Sequence, residues 1–196
     1  YFPDGVIPML PFDLSNEICS LKPGVERLTL TVMIDFNSEC EVVGYDIFDS
    51  FIKSCFRFTY TQVARLLEKN DEKSNLMPTL KTMHELAQSL RKRRFRLGSV
   101  DFNIPEPEIV LDEHGRVEKI VMAEHNVAHE LIEEFMLVAN QVVARHLSDI
   151  PSIHRVHESP DEIKLEAFNE FVKSFGYKLK HTRDPSPIEL QNLLKK

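Results

Sequence analysis

LTLTVMIDFNSECEVVGYDIFDSFIKSCFRF, residues 28–58, decides the fold class. β-branched and aromatic residues crowd residues 28–36 and return over 42–58, with a polar break between them. Such runs fit a pleated, half-buried backbone, so the stretch predicts an antiparallel hairpin with long arms. Downstream the period changes. TQVARLLEK, residues 61–69, sets Val63, Leu66 and Leu67 at helical spacing, and residues 76–96 continue with helix formers that stop before Gly98. Residues 109–111 and 117–122 flank DEHG and predict a short second hairpin with Gly115 in its turn. A long helix over 126–147 opens on Asn126, a good N-cap, and shows an apolar face of Ala128, Leu131, Ile132, Phe135, Ala139, Val142 and Val143. SPDE at 159–162 and SPIE at 186–189 each fit a capping box with proline at the first helical position, which predicts two more helices. Upstream, Pro3, Pro8 and Pro11 make residues 1–21 an ordered loop. The fold class is α+β, with antiparallel hairpins packed against several helices. No Gly/Ser-rich or low-complexity linker divides the chain, so residues 1–196 read as one unit.

Composition narrows the function. The 196 residues are 42% hydrophobic and 28% charged, ordinary for a globular protein. A net charge of -7 excludes a surface that traps nucleic acid everywhere, so any such site is local. Cys19, Cys40 and Cys55 are odd in number and form no CxxC pair, which argues against a disulfide framework or a zinc site and fits a reducing cytoplasm. No apolar run approaches the roughly 20 residues a membrane helix needs, and residues 1–10 have no signal-peptide pattern. The chain opens on Tyr1 without an initiator Met, and it is expected to be a fragment.

Three groups of residues carry candidate chemistry. HELIEE, residues 129–134, has the outline of an HExxH zinc helix, but Glu133 stands where the second histidine belongs. The bland reading of these residues is a solvated helix face. The sharper one places Glu133 and Asn140, seven residues on and nearly at the same azimuth, in a polar seam along a buried helix. RNA sugar hydroxyls would satisfy such a seam. The second group is the basic run Arg91, Lys92, Arg93, Arg94 and Arg96, either a dipole-matched helix end or a patch that contacts phosphate. The third is Tyr1, Phe2, Tyr60 and Phe102, aromatics outside clear core rhythm, which either fill core or stack on bases. No P-loop, GxGxxG, GxSxG or Cys/His nucleophile pattern is present.

One stretch is more specific than these. YFPDGVIPMLPFDLSNEICSL, residues 1–21, resembles the tyrosine-containing Ile-Pro-Met-Leu-Pro segment of the RNB-type exoribonucleases. Four further blocks follow in that family's order: FRFTYTQV at 56–63, GSVDFNIPEPEIVLDEHG at 98–115, HELIEEFMLVAN at 129–140 and HRVHESP at 154–160. DFNIPEPEIVLDEHG, residues 101–115, and HRVHE, residues 154–158, look closer to the ribonuclease R branch than to ribonuclease II. The resemblance implies a partial RNB catalytic domain of an enzyme that shortens single-stranded RNA from its 3′ end with two Mg²⁺ ions, and it implies neither DNA as substrate nor a membrane partner. The family's aspartate metal motif would precede Tyr1 and its Ser-Pro-Ile-Arg-Arg motif would follow Lys196. No metal ligand is therefore expected in residues 1–196, and the chain alone is expected to be inactive. By position, Tyr1 and Tyr60 match tyrosines near the RNA 3′ end, Phe102 matches a base-stacking aromatic, and Glu133 matches a carboxylate near the terminal nucleotides, the candidate catalytic group. The expected RNA contacts are thus Tyr1, Tyr60, Phe102, Asn140, Arg91, Arg93 and Arg94, the last four from chemistry. The alternative from another class is an RNA-binding or regulatory relative without nuclease activity.

Overall fold

Strand formers and helix formers sort as their periods dictate. The computed structural model describes residues 1–69, 75–100, 106–156, 158–181 and 184–195. In it β1 (Glu26–Phe36) pairs antiparallel with β2 (Val42–Lys53), then come α1 (Tyr60–Lys69) and α2 (Met77–Arg96). A second antiparallel pair, β3 (Pro107–Leu111) and β4 (Val117–Met122), precedes α3 (Val127–His146), α4 (Glu162–Lys173) and α5 (Pro187–Leu194). This is the α+β arrangement of two hairpins and several helices. A six-residue π-helical turn, Asp13–Ile18, interrupts the opening segment that the prolines alone make a loop.

The first hairpin is fixed at its turn and stops short of the predicted length. Asn37 Oδ1 accepts from the backbone N–H of Glu39 at 3.0 Å and of Glu41 at 2.9 Å, and Cys40 takes φ +58°. The ladder ends at Lys53, not at residue 58. Residues 55–59 lie outside regular structure and lead into α1. Thr59 caps that helix reciprocally: its hydroxyl accepts from Gln62 N–H at 3.2 Å while Gln62 Oε1 accepts from Thr59 N–H at 2.8 Å. On one face of the sheet, Leu28 and Leu30 stand beside Phe51 and are strongly exposed, Leu28 to 90%. The same face nearer the turn is half-buried, where the Tyr45 hydroxyl lies 3.4 Å from His146 Nδ1 at the end of α3.

The core sits where α1, α2 and α3 meet, around Ala64, Ala87, Leu90, Ala128 and Leu131. Met77 and Val142 are buried as well, and α3 holds the largest share of buried residues, as its apolar arc predicts. Asn126 does cap α3: its side chain accepts from Ala128 N–H at 3.1 Å. The C-terminal helices depart from expectation in their caps. Asp161, not Ser159, caps α4, with its Oδ1 accepting from Lys164 N–H at 3.0 Å. Ser186 caps α5 as predicted, but Glu189 does not reach back to complete the box. Instead its carboxylate accepts from the backbone N–H groups of Lys180 and His181.

α2 ends in a Schellman motif, and α5 closes over it. Ser99 N–H donates to Arg94 O at 3.2 Å and Gly98 N–H to Phe95 O at 3.0 Å, with Gly98 at φ +102°. Gln191, buried on α5, donates through Nε2 to Phe95 O at 2.8 Å and Ser99 O at 2.7 Å. A Cβ on Gly98 would lie 2.7 Å from Ile188 N and 2.9 Å from Pro187 C. The whole chain still presents 15997 Å² of accessible surface, against about 9,500 Å² that size scaling gives a compact monomer of 22.7 kDa.

Two independent costs therefore meet at Gly98: a left-handed backbone and a steric wall of backbone atoms. Gly98→Ala is expected to lower the stability of the folded chain by about 2 kcal/mol or more, read from the urea midpoint. A loss of only about 1 kcal/mol, the backbone cost alone, would mean that α5 does not seat on this turn.

Candidate nucleic-acid interface

Tyr60 is the first residue of α1, and its ring lies on a polar ring from α3. The centroids of Tyr60 and His129 are 3.9 Å apart with planes 26° from parallel, and His125 continues the stack at 5.5 Å. His129 is placed by the start of α3: its Nδ1 accepts from Asn126 N–H at 3.2 Å, so histidine takes the part that Glu or Gln usually plays in a capping box. Tyr60 therefore neither fills the core nor stands alone. It is a half-exposed ring at the rim of an apolar cavity of about 370 Å³, lined in part by Phe56, Phe58, Val63, Leu80 and Ile132.

Its surroundings favour the neutral form of His129. Burial first, and then the nearby His125, hold the His129 pKa below the ordinary histidine value of 6.5, with Glu124 opposing. An imidazole whose Nδ1 accepts a backbone hydrogen bond carries its proton on Nε2.

HELIEE divides its four polar residues among three tasks. His129 caps the helix, Glu130 pairs with Arg91 at 3.3 Å, and Glu133 and Glu134 share one guanidinium. Arg94 Nε donates to the two Glu134 carboxylate oxygens at 3.0 and 3.2 Å, and its Nη2 donates to Glu134 Oε1 at 2.5 Å and to Glu133 Oε1 at 3.2 Å. The Glu134 side chain is only 3% exposed, whereas that of Glu133 is 42% exposed. Glu133 lies one turn along α3 from His129, on the same face of that helix.

Other expected contacts fall differently. The buried polar residue of α3 is Glu134, not the Glu133–Asn140 seam, because Asn140 is exposed. Nor does the basic run present a bare cationic strip. Arg91 and Arg94 hold carboxylates of α3, and Arg93 lies 3.4 Å from Glu41 in the first hairpin, so their charges are already matched. Tyr1 is fully exposed, and Phe102 lies outside the described residues. Sequence reasoning missed Arg94 as a partner of Glu134 and missed His125. The three-residue spacing shared by Arg91 and Arg94, and by Glu130 and Glu133, was the available signal. Among the described residues no group of three or more His, Cys, Asp or Glu is gathered as for a metal ion, and no helix is long and apolar enough to cross a membrane. Cys19, Cys40 and Cys55 are all free.

Comparison with known proteins bears on the fold as a whole. The RNB domain model matches residues 1–196. Ribonuclease R of Aquifex aeolicus is 39% identical over 200 residues, covering 99% of this chain and 28% of that protein. Ribonuclease R of Thermotoga maritima is 38% identical over 202 residues, with 100% and 28% covered. The structure of Mycoplasma genitalium RNase R in complex with ribose methylated single-stranded RNA matches with a TM-score of 0.87 at 31% identity, over 96% of this chain and 30% of that one. The chain thus spans under a third of the length of these relatives.

The lowered pKa of His129 makes stability depend on pH with a definite sign. Its folded pKa is lowered, so the unfolded chain binds the proton more readily. The stabilising contribution is complete above about pH 6.5 and is lost as pH falls from there toward the folded value. Between about pH 7.5 and pH 5.5 the urea midpoint is expected to fall less in His129→Gln, which keeps a capping-box residue, than in the parent chain. Parallel curves would remove His129 as the titrating group.

Proposed function

The chain belongs to the RNB domain family, and on that premise we propose that it forms one wall of the RNA path in a processive, hydrolytic 3′-to-5′ exoribonuclease. The substrate is single-stranded RNA, released as nucleoside 5′-monophosphates, and the setting is a reducing cytoplasm. One arrangement carries the reading: the Tyr60 ring laid on His129, with Glu133 one turn further along α3. Residues 1–196 are then part of a catalytic domain.

The parts divide by chemistry. The open face of Tyr60 offers a base a stacking surface that is indifferent to sequence, and Tyr1 and Phe102 supply further rings. Glu133, half out of solvent and pinned on one side, accepts hydrogen bonds from sugar hydroxyls of the terminal nucleotides. Asn140, exposed two turns further on, adds donors and an acceptor. DNA lacks the 2′-hydroxyl and leaves such acceptors with less to hold, so it is a poor substrate. Of the basic residues, Arg93 has the pair most easily exchanged for a phosphate, since both it and Glu41 are solvated and exposed pairs are worth only about 0 to 1 kcal/mol. Arg94 cannot leave Glu134 so cheaply.

Two Mg²⁺ ions held by aspartates would activate water and stabilise the leaving oxygen. The described residues do not fit such a pair, because no carboxylate cluster is gathered and Glu134 is already bound to Arg94. Glu133 and Glu134 also diverge by about 100° around the helix. The role of this chain is to bind and orient the strand, and hydrolysis rests on other residues of a longer protein.

Two experiments test the reading. In the complete enzyme, Tyr60→Ala is expected to weaken binding of a short single-stranded RNA by about 1 to 3 kcal/mol. Unchanged affinity with a lowered melting temperature would return Tyr60 to a packing role.

The second compares the 196-residue chain with its complete parent, each incubated with Mg²⁺ and a labelled oligoribonucleotide. Mononucleotides are expected from the parent alone. Their release by the isolated chain would assign metal binding to carboxylates within it, and a parent that binds RNA without degrading it would be a binding module instead.

A further inference from the structure

The contacts around Arg94 do more than neutralise a buried charge. Consecutive residues of a helix point about 100° apart, so Glu133 and Glu134 meet one cation only if its donors leave in different directions. The planar fork of arginine does this, and a lysine ammonium cannot do so while keeping a bidentate grip. Glu134, withdrawn from water, fixes Arg94 through Nε and Nη2. The plane of the guanidinium is held again by Phe95, whose ring centroid lies 5.2 Å from Arg94 Cζ and 4.9 Å from Arg91 Cζ. Arg91 and Glu130 repeat the bridge one turn earlier on both helices, at 3.3 Å. So anchored, Arg94 gives Nη2 to Oε1 of Glu133 at 3.2 Å, and among the described residues no hydrogen bond reaches Oε2.

We propose that Arg94 is a positioning residue: held by the buried Glu134, it fixes the rotamer of Glu133 so that Oε2 faces the RNA strand as an oriented acceptor. The inference rests on the reading of Glu133 given under Proposed function. It assigns the adjacent glutamates different work. Glu134 is the anchor and never meets RNA, while Glu133 meets RNA and is aimed through the arginine between them. A solvated glutamate without that contact would sample several rotamers, and only a fraction of molecules would present the acceptor when the nucleotide arrives.

The test is a double-mutant cycle in the complete enzyme, with turnover of a short RNA, KM and melting temperature measured for Arg94→Lys, Glu133→Ala and the pair. Arg94→Lys keeps the charge beside Glu134 and loses the fork. It is expected to lower kcat about tenfold or more with KM little changed, since a small misplacement of one contact costs rate more than it costs binding of a strand held by several others. In the Glu133→Ala background the same substitution should cost less than about twofold, because the group it positions is gone. Equal losses in both backgrounds would overturn the proposal and make Arg94 a support of the fold, as would parental turnover of Arg94→Lys beside an impaired Glu133→Ala. Parental turnover of Glu133→Ala would instead remove the reading beneath it. Should Arg94→Lys fail to fold, Glu134→Gln, which keeps the shape of the anchor and drops its charge, is held to the same pattern.

Discussion

A carboxylate taken out of water has to be met by a cation, and Glu134 is met by Arg94. Breaking such a pair by removing one member commonly costs about 3 to 5 kcal/mol, because the other charge is left buried and alone. The pair therefore dictates where the end of α2 crosses the middle of α3. Every other part of the candidate site hangs from that crossing. Toward the start of α3 it sets His129, and with it the Tyr60 ring and the start of α1. Toward the end of α2 it sets the Schellman turn at Gly98, on which α5 seats through Ile188 and Gln191.

Around this crossing the structure is open. Leu28, Leu30 and Phe51 on one face of the first hairpin are exposed, while Val32, Ile34 and Ile47 nearer the turn are half-buried. The small helical core of Ala64, Ala87, Leu90, Ala128 and Leu131 is thus dry, whereas the sheet in front of it is covered at one end only.

Much of the architecture was legible in the sequence, and the reasons are local. The β-branched and aromatic run in residues 28–36 and the apolar arc of residues 126–147 point to a strand and a helix, and the structure has both. Asn126, Ser186 and Gly98 mark helix ends because of what their own side chains, or the lack of one, permit. What escaped depends on partners distant in the chain. Residues 54–58 continue the run of aromatic residues, but among the described residues no further strand joins β1 and β2 to extend the ladder. Ser159 and Asp161 both suit an N-cap, and sequence alone does not choose between them. Nothing in HELIEE says which glutamate is buried; that follows from Arg94, forty residues away. The resemblance named Tyr60 on α1 and Glu133 on α3, and the pairing of α2 with α3 is what brings Arg94 to the two glutamates.

The seating of α5 also has a consequence for the order in which the molecule assembles. Gln191 reaches back 96 residues to Phe95 and 92 residues to Ser99. Closing a loop of that length is entropically dearer than forming a hairpin turn or a helix cap, and nothing repays it until both ends are in place. α1, α2 and α3 are nearer neighbours in sequence and can condense first around their shared core. The C-terminal helix then acts as a latch that engages last. Because it grips the backbone carbonyls that finish α2, it protects the end of the very helix that carries Arg94. A chain with an unlatched α5 would keep its core and lose the definition of its site.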